Sequence, residues 1–165
     1  MTYFTGFGKD TLLANKTING YATVDSILKL QQKEMATNKF MWPDNGVIEC
    51  FNTSTLENSF QLIKLNSYFT NNAIKITYER DSGEETIIVG KDQLMWARVE
   101  TDLSEFIPAN DLMIGTFLTD KDYTKSCFIT SIELISDNIE IFTFKIRDNI
   151  DSDSIILHNS IVLAI

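Results

Sequence analysis

Histidine is nearly missing from this chain, which has one in 165 residues, alongside two cysteines, two prolines and seven glycines. One imidazole and two thiols, distant in sequence, cannot close a zinc site without carboxylates, so neither a metal nor a cofactor is expected. Cys50 and Cys127 sit among apolar neighbours (IECF and KSCFI) and read as buried thiols, not as a disulfide. Few prolines and glycines, and no Ser/Gly-rich run, leave no linker, so residues 1–165 read as a single domain. Positive charge is also short: 14 Lys and Arg stand against 23 Asp and Glu, a net charge of −9, which opposes a phosphate backbone and excludes nucleic acid as a partner. No apolar run approaches the ~20 residues of a membrane span. The opening MTYFTGFGKD has no cationic stretch followed by an apolar one, so the expectation is synthesis in the cytoplasm, without a signal peptide and without a membrane partner.

What the chain does have is apolar residues, 44% of the total, in short runs of β-branched and aromatic side chains bounded by Asn, Asp, Gly or Ser. That pattern predicts an all-β fold. Strands are expected at Val47–Phe51, Phe60–Leu65, Ala73–Glu79, Glu85–Val89, Cys127–Ile135, Ile139–Ile146 and Ser154–Leu157, with a further one at Ile161–Leu163. Arg80-Asp81-Ser82-Gly83 predicts a hairpin turn, because a glycine that ends an acidic-polar turn can take positive φ. Ser136-Asp137-Asn138 predicts a second hairpin, between the Cys127–Ile135 and Ile139–Ile146 strands. Val24, Ile27, Leu28 and Gln31 follow helical spacing over Val24–Gln32, and TDLSEF at Thr101–Phe106 reads as a capped helical turn. One or two short helices therefore accompany the strands. Asp148, Asp151 and Asp153 start like a calcium loop but lack its glycine and its closing Glu, and read as an acidic surface turn.

Four pieces, in order, resemble the Hint domain of inteins and of hedgehog autoprocessing proteins. Gly6-Phe7-Gly8-Lys9-Asp10-Thr11-Leu12-Leu13, followed by Asn19-Gly20-Tyr21 and Val24-Asp25-Ser26-Ile27, is similar to the opening block. Ile74–Thr77, Asp81-Ser82-Gly83 and Ile87–Leu94 are similar to the hairpin that carries the family's T-x-x-H motif. Trp96, Pro108–Leu112 and Ile114–Leu118 resemble the next block, and Ile155-Ile156-Leu157-His158-Asn159-Ser160 resembles the splice junction. The resemblance runs over about residues 6–160, leaving 161–165 as a short tail. It implies an all-β, intein-type fold whose two chain ends approach each other.

The same resemblance shows what is missing. Splicing starts when a Cys or Ser side chain attacks the carbonyl before it, and here that position is Gly6, which has no nucleophile. Thr5 or Thr11 would serve only in another register. The motif threonine is Gly90 and the motif histidine, a general acid toward the scissile nitrogen, is Gln93, which has no proton to give at pH 7. Gly90–Gln93 accordingly reads as a plain loop between strands. At the other junction, Asn159 has an amide nitrogen able to attack its own carbonyl, His158 could protonate the leaving amine, and Ser160 would be the released N-terminus. These positions read as relics more than as working groups. The expectation is therefore no enzyme: a catalytically inactive intein-like module, a structural part of a larger assembly such as a phage particle or tail, with other protein subunits as partners. The alternative is self-processing limited to C-terminal cleavage by Asn159 cyclisation. A third reading, an unrelated all-β domain, places Gly6 and Asn159 far apart.

Overall fold

The computed structural model describes residues 3–16, 19–98, 103–121, 127–147, 153–157 and 161–164. Along the chain run β1 (Phe7–Gly8), β2 (Leu12–Asn15), β3 (Gly20–Thr23), helix α1 (Val24–Glu34), β4 (Val47–Asn52), β5 (Glu57–Thr70), β6 (Ala73–Arg80) and β7 (Gly83–Gly90). They continue with β8 (Leu94–Arg98), β9 (Glu105–Pro108), β10 (Phe117–Leu118), β11 (Cys127–Ile135), β12 (Ile139–Ile146), β13 (Ser154–Ile156) and β14 (Val162–Ala164). Among the described residues the helical content is α1 and a single turn of 3-10 helix at Ala109–Asp111, as an all-β chain with one or two short helices requires.

All the strands belong to one antiparallel sheet, in the order β13-β14-β8-β10-β11-β6-β7-β1-β12-β5-β4-β2-β3, with β9 beside β8. A further β13–β4 pairing joins the first strand to a late one, so the sheet curls back on itself and leaves few open edges. Its concave side holds a core in which Phe7, Leu13, Ile48, Ile76, Val89, Leu118, Ile129 and Phe142 are buried. Burying an aromatic such as Phe7 stabilises the fold by roughly 1.5–3 kcal/mol, and its ring stacks on Phe144 with centroids 5.7 Å apart. Cys50 and Cys127 are buried thiols and are not joined in a disulfide. Desolvation pushes the Cys50 thiol up to about 12, which keeps it protonated and unreactive at neutral pH.

The predicted helical face is the buried one: Val24, Ile27, Leu28 and Gln31 all point inward. Thr23 caps the helix by accepting from the Ser26 amide at 3.3 Å. The first predicted hairpin also forms, with Arg80 opposite Gly83 and the glycine at φ +124°.

The second does not. β11 pairs with β6 and β12 pairs with β5, and the two strands do not pair with each other. The ladder runs from Phe128↔Glu79 to Ile135↔Ala73 and resumes at Ile139↔Thr70 through to Ile146↔Ile63. β5–β6 and β11–β12 are thus two bent halves of one long ribbon, and Asn71-Asn72 and Ser136-Asp137-Asn138 are its facing corners. A turn signal marks a change of direction, but the alternation of side chains is the same whichever strand lies alongside. The predicted helical turn at Thr101–Phe106 is also corrected. Glu105 and Phe106 open strand β9, where Phe106 stands opposite Trp96 and packs against a small cluster of Phe51, Trp96, Ile156 and Val162; Thr101 and Asp102 lie outside the described residues.

Candidate active site

The peptide bond between Thr5 and Gly6 is gripped on both sides. β1 carries the chain between β7 and β12, with Phe7 opposite Val89 on one side and Phe142 on the other. Just before it, Gly6 takes φ +116°, a conformation that side chains rarely adopt. A Cβ built there would run into the Phe142 carbonyl oxygen and lie 2.8 Å from Ile141 Cγ2. The absence of a nucleophile at residue 6 is thus matched by an absence of space for one.

Gln93 reaches this bond from the turn after β7. Its side chain is 3% exposed, and its Oε1 accepts the Gly6 N–H at 2.9 Å. Its Nε2 donates to the carbonyls of Leu94 and Ala164, each at 3.0 Å. Its backbone is tied as well, donating to Gly90 O at 3.0 Å and accepting from Ala109 N at 2.9 Å. Gly90–Gln93 joins β7 to β8 as a loop between strands, as the sequence suggests, and its Gln93 also holds Gly6. Gly90 itself donates to Gly6 O at 3.0 Å, and a Cβ on it would collide with the Phe4 carbonyl. Threonine at that position would displace the segment that precedes the junction.

Two further residues complete the grip, and neither was legible as a site residue. Tyr68, on β5, donates its hydroxyl to the Thr5 carbonyl oxygen at 2.7 Å. Burial, reinforced by the negative charge of Asp92, raises the phenol above its ordinary pKa, so it remains a proton donor at neutral pH. Asp92 Oδ2 accepts the Phe4 N–H at 2.8 Å while its own N–H donates to Phe4 O at 2.9 Å, and Lys91 Nζ stands 5.4 Å from the Phe4 ring centroid. Asp92 adjoins Gln93 in sequence and could have been suspected on that ground; Tyr68 lies in the middle of a long strand and carries no local signal.

Chemically, the arrangement polarises the Thr5 carbonyl through Tyr68 and holds the Gly6 N–H on an acceptor. An acceptor fixes the amide proton in place and cannot protonate the nitrogen, so Gln93 occupies the place that the resemblance gives to a histidine without performing its role. His158, Asn159 and Ser160 lie outside the described residues. On either side of them, Leu157 N–H donates to Ile161 O at 2.9 Å, and β13 and β14 pair from Ser154↔Ala164 to Ile156↔Val162. Through the Gln93 amide, Ala164 and Gly6 are two hydrogen bonds apart, so the strand that follows the C-terminal junction lies beside the N-terminal one. Among the described residues no group of His, Cys, Asp or Glu is gathered for a metal ion; Asp153 accepts from the Thr53 amide instead, at 3.1 Å, and Asp148 and Asp151 lie outside the described residues.

No protein-family profile matches the sequence, and a search of curated proteins gives no match. Solved structures do match. A bacterial intein-like domain from Clostridium thermocellum superposes with a TM-score of 0.63 at 15% identity, covering 99% of this chain and 98% of that one. An intein from a hyperthermophile gives 0.69 at 13% identity, over 98% and 99% of the two chains, and a DnaB intein from Synechocystis sp. PCC 6803 gives 0.63 at 13%, also over 98% and 99%. The chain has the intein-like Hint fold. At these identities the likeness establishes the Hint architecture, and it removes the reading of the four sequence blocks as coincidence in an unrelated β domain. It also overturns the expectation that the chain is no enzyme. The structures that match the chain from end to end are inteins and an intein-like domain, so the fold gives no ground for calling the module inert.

Proposed function

We propose that the chain is an intein-like self-processing module whose reaction is confined to its C-terminal junction. The Asn159 side-chain nitrogen attacks the Asn159 carbonyl carbon, the bond to Ser160 breaks, and His158 delivers a proton to the departing amine. The products are a chain ending in a succinimide and a fragment beginning at Ser160, and no water is consumed until the succinimide hydrolyses. The observation that carries this reading is the asymmetry between the junctions. At Gly6 there is neither a nucleophile nor room for a Cβ, whereas the sequence keeps His158-Asn159-Ser160 between two strands that the fold pairs. The nearness of Ala164 to Gly6 also supports a second proposal, that the module sits among other protein subunits, since a domain whose ends adjoin can be set into a host chain without separating it.

The test is mass spectrometry under denaturing conditions after prolonged incubation at a series of pH values. The expected result is two masses that sum to the intact chain, or to the intact chain plus one water once the succinimide has hydrolysed, with cleavage abolished by Asn159→Ala and slowed about a hundredfold or more by His158→Ala. A chain that keeps its full mass throughout, or cleavage that survives Asn159→Ala, overturns the reading.

A further inference from the structure

β1 is only two residues long, yet it is the strand that lies between β7 and β12, each of eight residues. It pairs with Val89 of β7 and with Phe142 and Ile141 of β12, and then the chain turns away, with Thr11 N–H donating back to Gly8 O at 3.2 Å. Beyond Gly8 the two long strands continue without a described strand between them. The gap is a cleft of about 930 Å³, bounded by Glu84–Ile88 on one side and Asn138–Glu140 on the other, with Tyr78, Ile87 and Leu157 along it.

Three features give the cleft a chemistry. The first is hydrogen bonding. Because Gly90 donates toward β1, the alternation of an antiparallel ladder turns the backbone groups of Thr86 and Glu84 to the same side, into the cleft. The second is charge: among the described residues, Asp10, Glu84, Glu85 and Glu140 line it against Lys9. These carboxylates are spread along the gap and are not gathered as metal ligands, so they suit an extended cation better than an ion. The third is an apolar surface, with Ile87 buried on one side of the strand and Phe69 standing 65% exposed at the rim.

We propose that the cleft accepts an extended cationic peptide as an added strand between β7 and β12. Its backbone continues the path that β1 abandons, antiparallel to β7, with basic side chains on the face shared by Glu85, Ile87 and Glu140 and an apolar one on the other face, between Thr86 and Ile139. Gly8 already stands beside Ile88, so four residues at about 3.3 Å each span the stretch from Ile87 to Glu84. This proposal stands apart from the cleavage reaction and does not depend on it.

The experiment titrates the isotope-labelled full chain with a synthetic peptide of alternating lysine and valine and follows its amide resonances. Saturable shifts are expected at Glu84–Ile88 and at Ile139–Glu140, weakening as salt is raised. The double variant Glu85→Lys, Glu140→Lys should bind at least about tenfold more weakly; should it misfold, Glu85→Gln with Glu140→Gln replaces it. N-methylation of alternate peptide nitrogens should abolish binding by blocking strand pairing. The proposal is overturned by unchanged resonances at millimolar peptide, by shifts outside the cleft, or by equal binding of the N-methylated peptide or of a glutamate–valine one.

Discussion

Gly6 is fixed by backbone as much as by chemistry, and this separates two effects that a sequence comparison would merge. Replacing it with cysteine supplies the missing thiol but puts a side chain at φ +116° against the Phe142 carbonyl. Gly6→Cys is expected to lower the stability to denaturant by about 1–3 kcal/mol and to give no thiol-induced cleavage at the junction, because Gln93 offers the scissile nitrogen an acceptor in place of an acid. Denaturant titration reads the first outcome and mass spectrometry after thiol treatment reads the second; cleavage at that bond would show that the site adapts. Gln93 is the clearest case of a residue whose meaning is invisible in sequence. Its type excludes a general acid, but only its burial and its bonds to Gly6, Leu94 and Ala164 reveal that it holds the two ends of the module together.

Among elements, α1 is tied to β5 by a polar side chain. Gln31, on its buried face, donates through Nε2 to Asn45 O at 2.8 Å and Ile63 O at 3.0 Å and accepts from Leu65 N–H at 2.9 Å, pinning the helix to β5. Gly46 makes room for it, since a Cβ there would lie 2.5 Å from Nε2. Gln31→Leu keeps the apolar stripe of the helix but strands buried backbone groups, each costing about 1–3 kcal/mol. The expected result is a loss of that order in unfolding free energy, with faster hydrogen exchange at the Leu65 amide; unchanged exchange there would mean that β5 is held by its neighbours alone. Helical spacing placed Gln31 on the inner face, while the bonds it makes depend on a strand more than thirty positions downstream. The same separation explains the second hairpin. Ser136-Asp137-Asn138 was legible as a turn, but β11 and β12 find their partners in β6 and β5 because the ribbon bends at both corners together.

For the whole molecule, the closed sheet constrains what cleavage can look like. β14 pairs with both β13 and β8, and Ile161 and Val162 are fully buried. Breaking the Asn159–Ser160 bond removes one covalent link and leaves those contacts in place. The released segment is therefore expected to stay bound, so that native mass spectrometry shows an unchanged mass while denatured samples show two pieces. Prompt loss of the segment on gel filtration would show that β14 is held more weakly than its pairing implies.

The sequence by itself determined the strand-rich character of the chain, the position of its helix, the tight turn at Gly83 and the missing nucleophile at residue 6, since each follows from side-chain type and short-range spacing. Tertiary structure alone decided which strands pair, that Tyr68 and Asp92 close on the segment before Gly6, and that an unfilled gap remains beside β1. The reason is physical: alternation and turn residues act over a few positions and say nothing about partners, whereas the junction is assembled from β1, β5, the turn after β7 and β14, which meet only when the sheet curls round and its ends join.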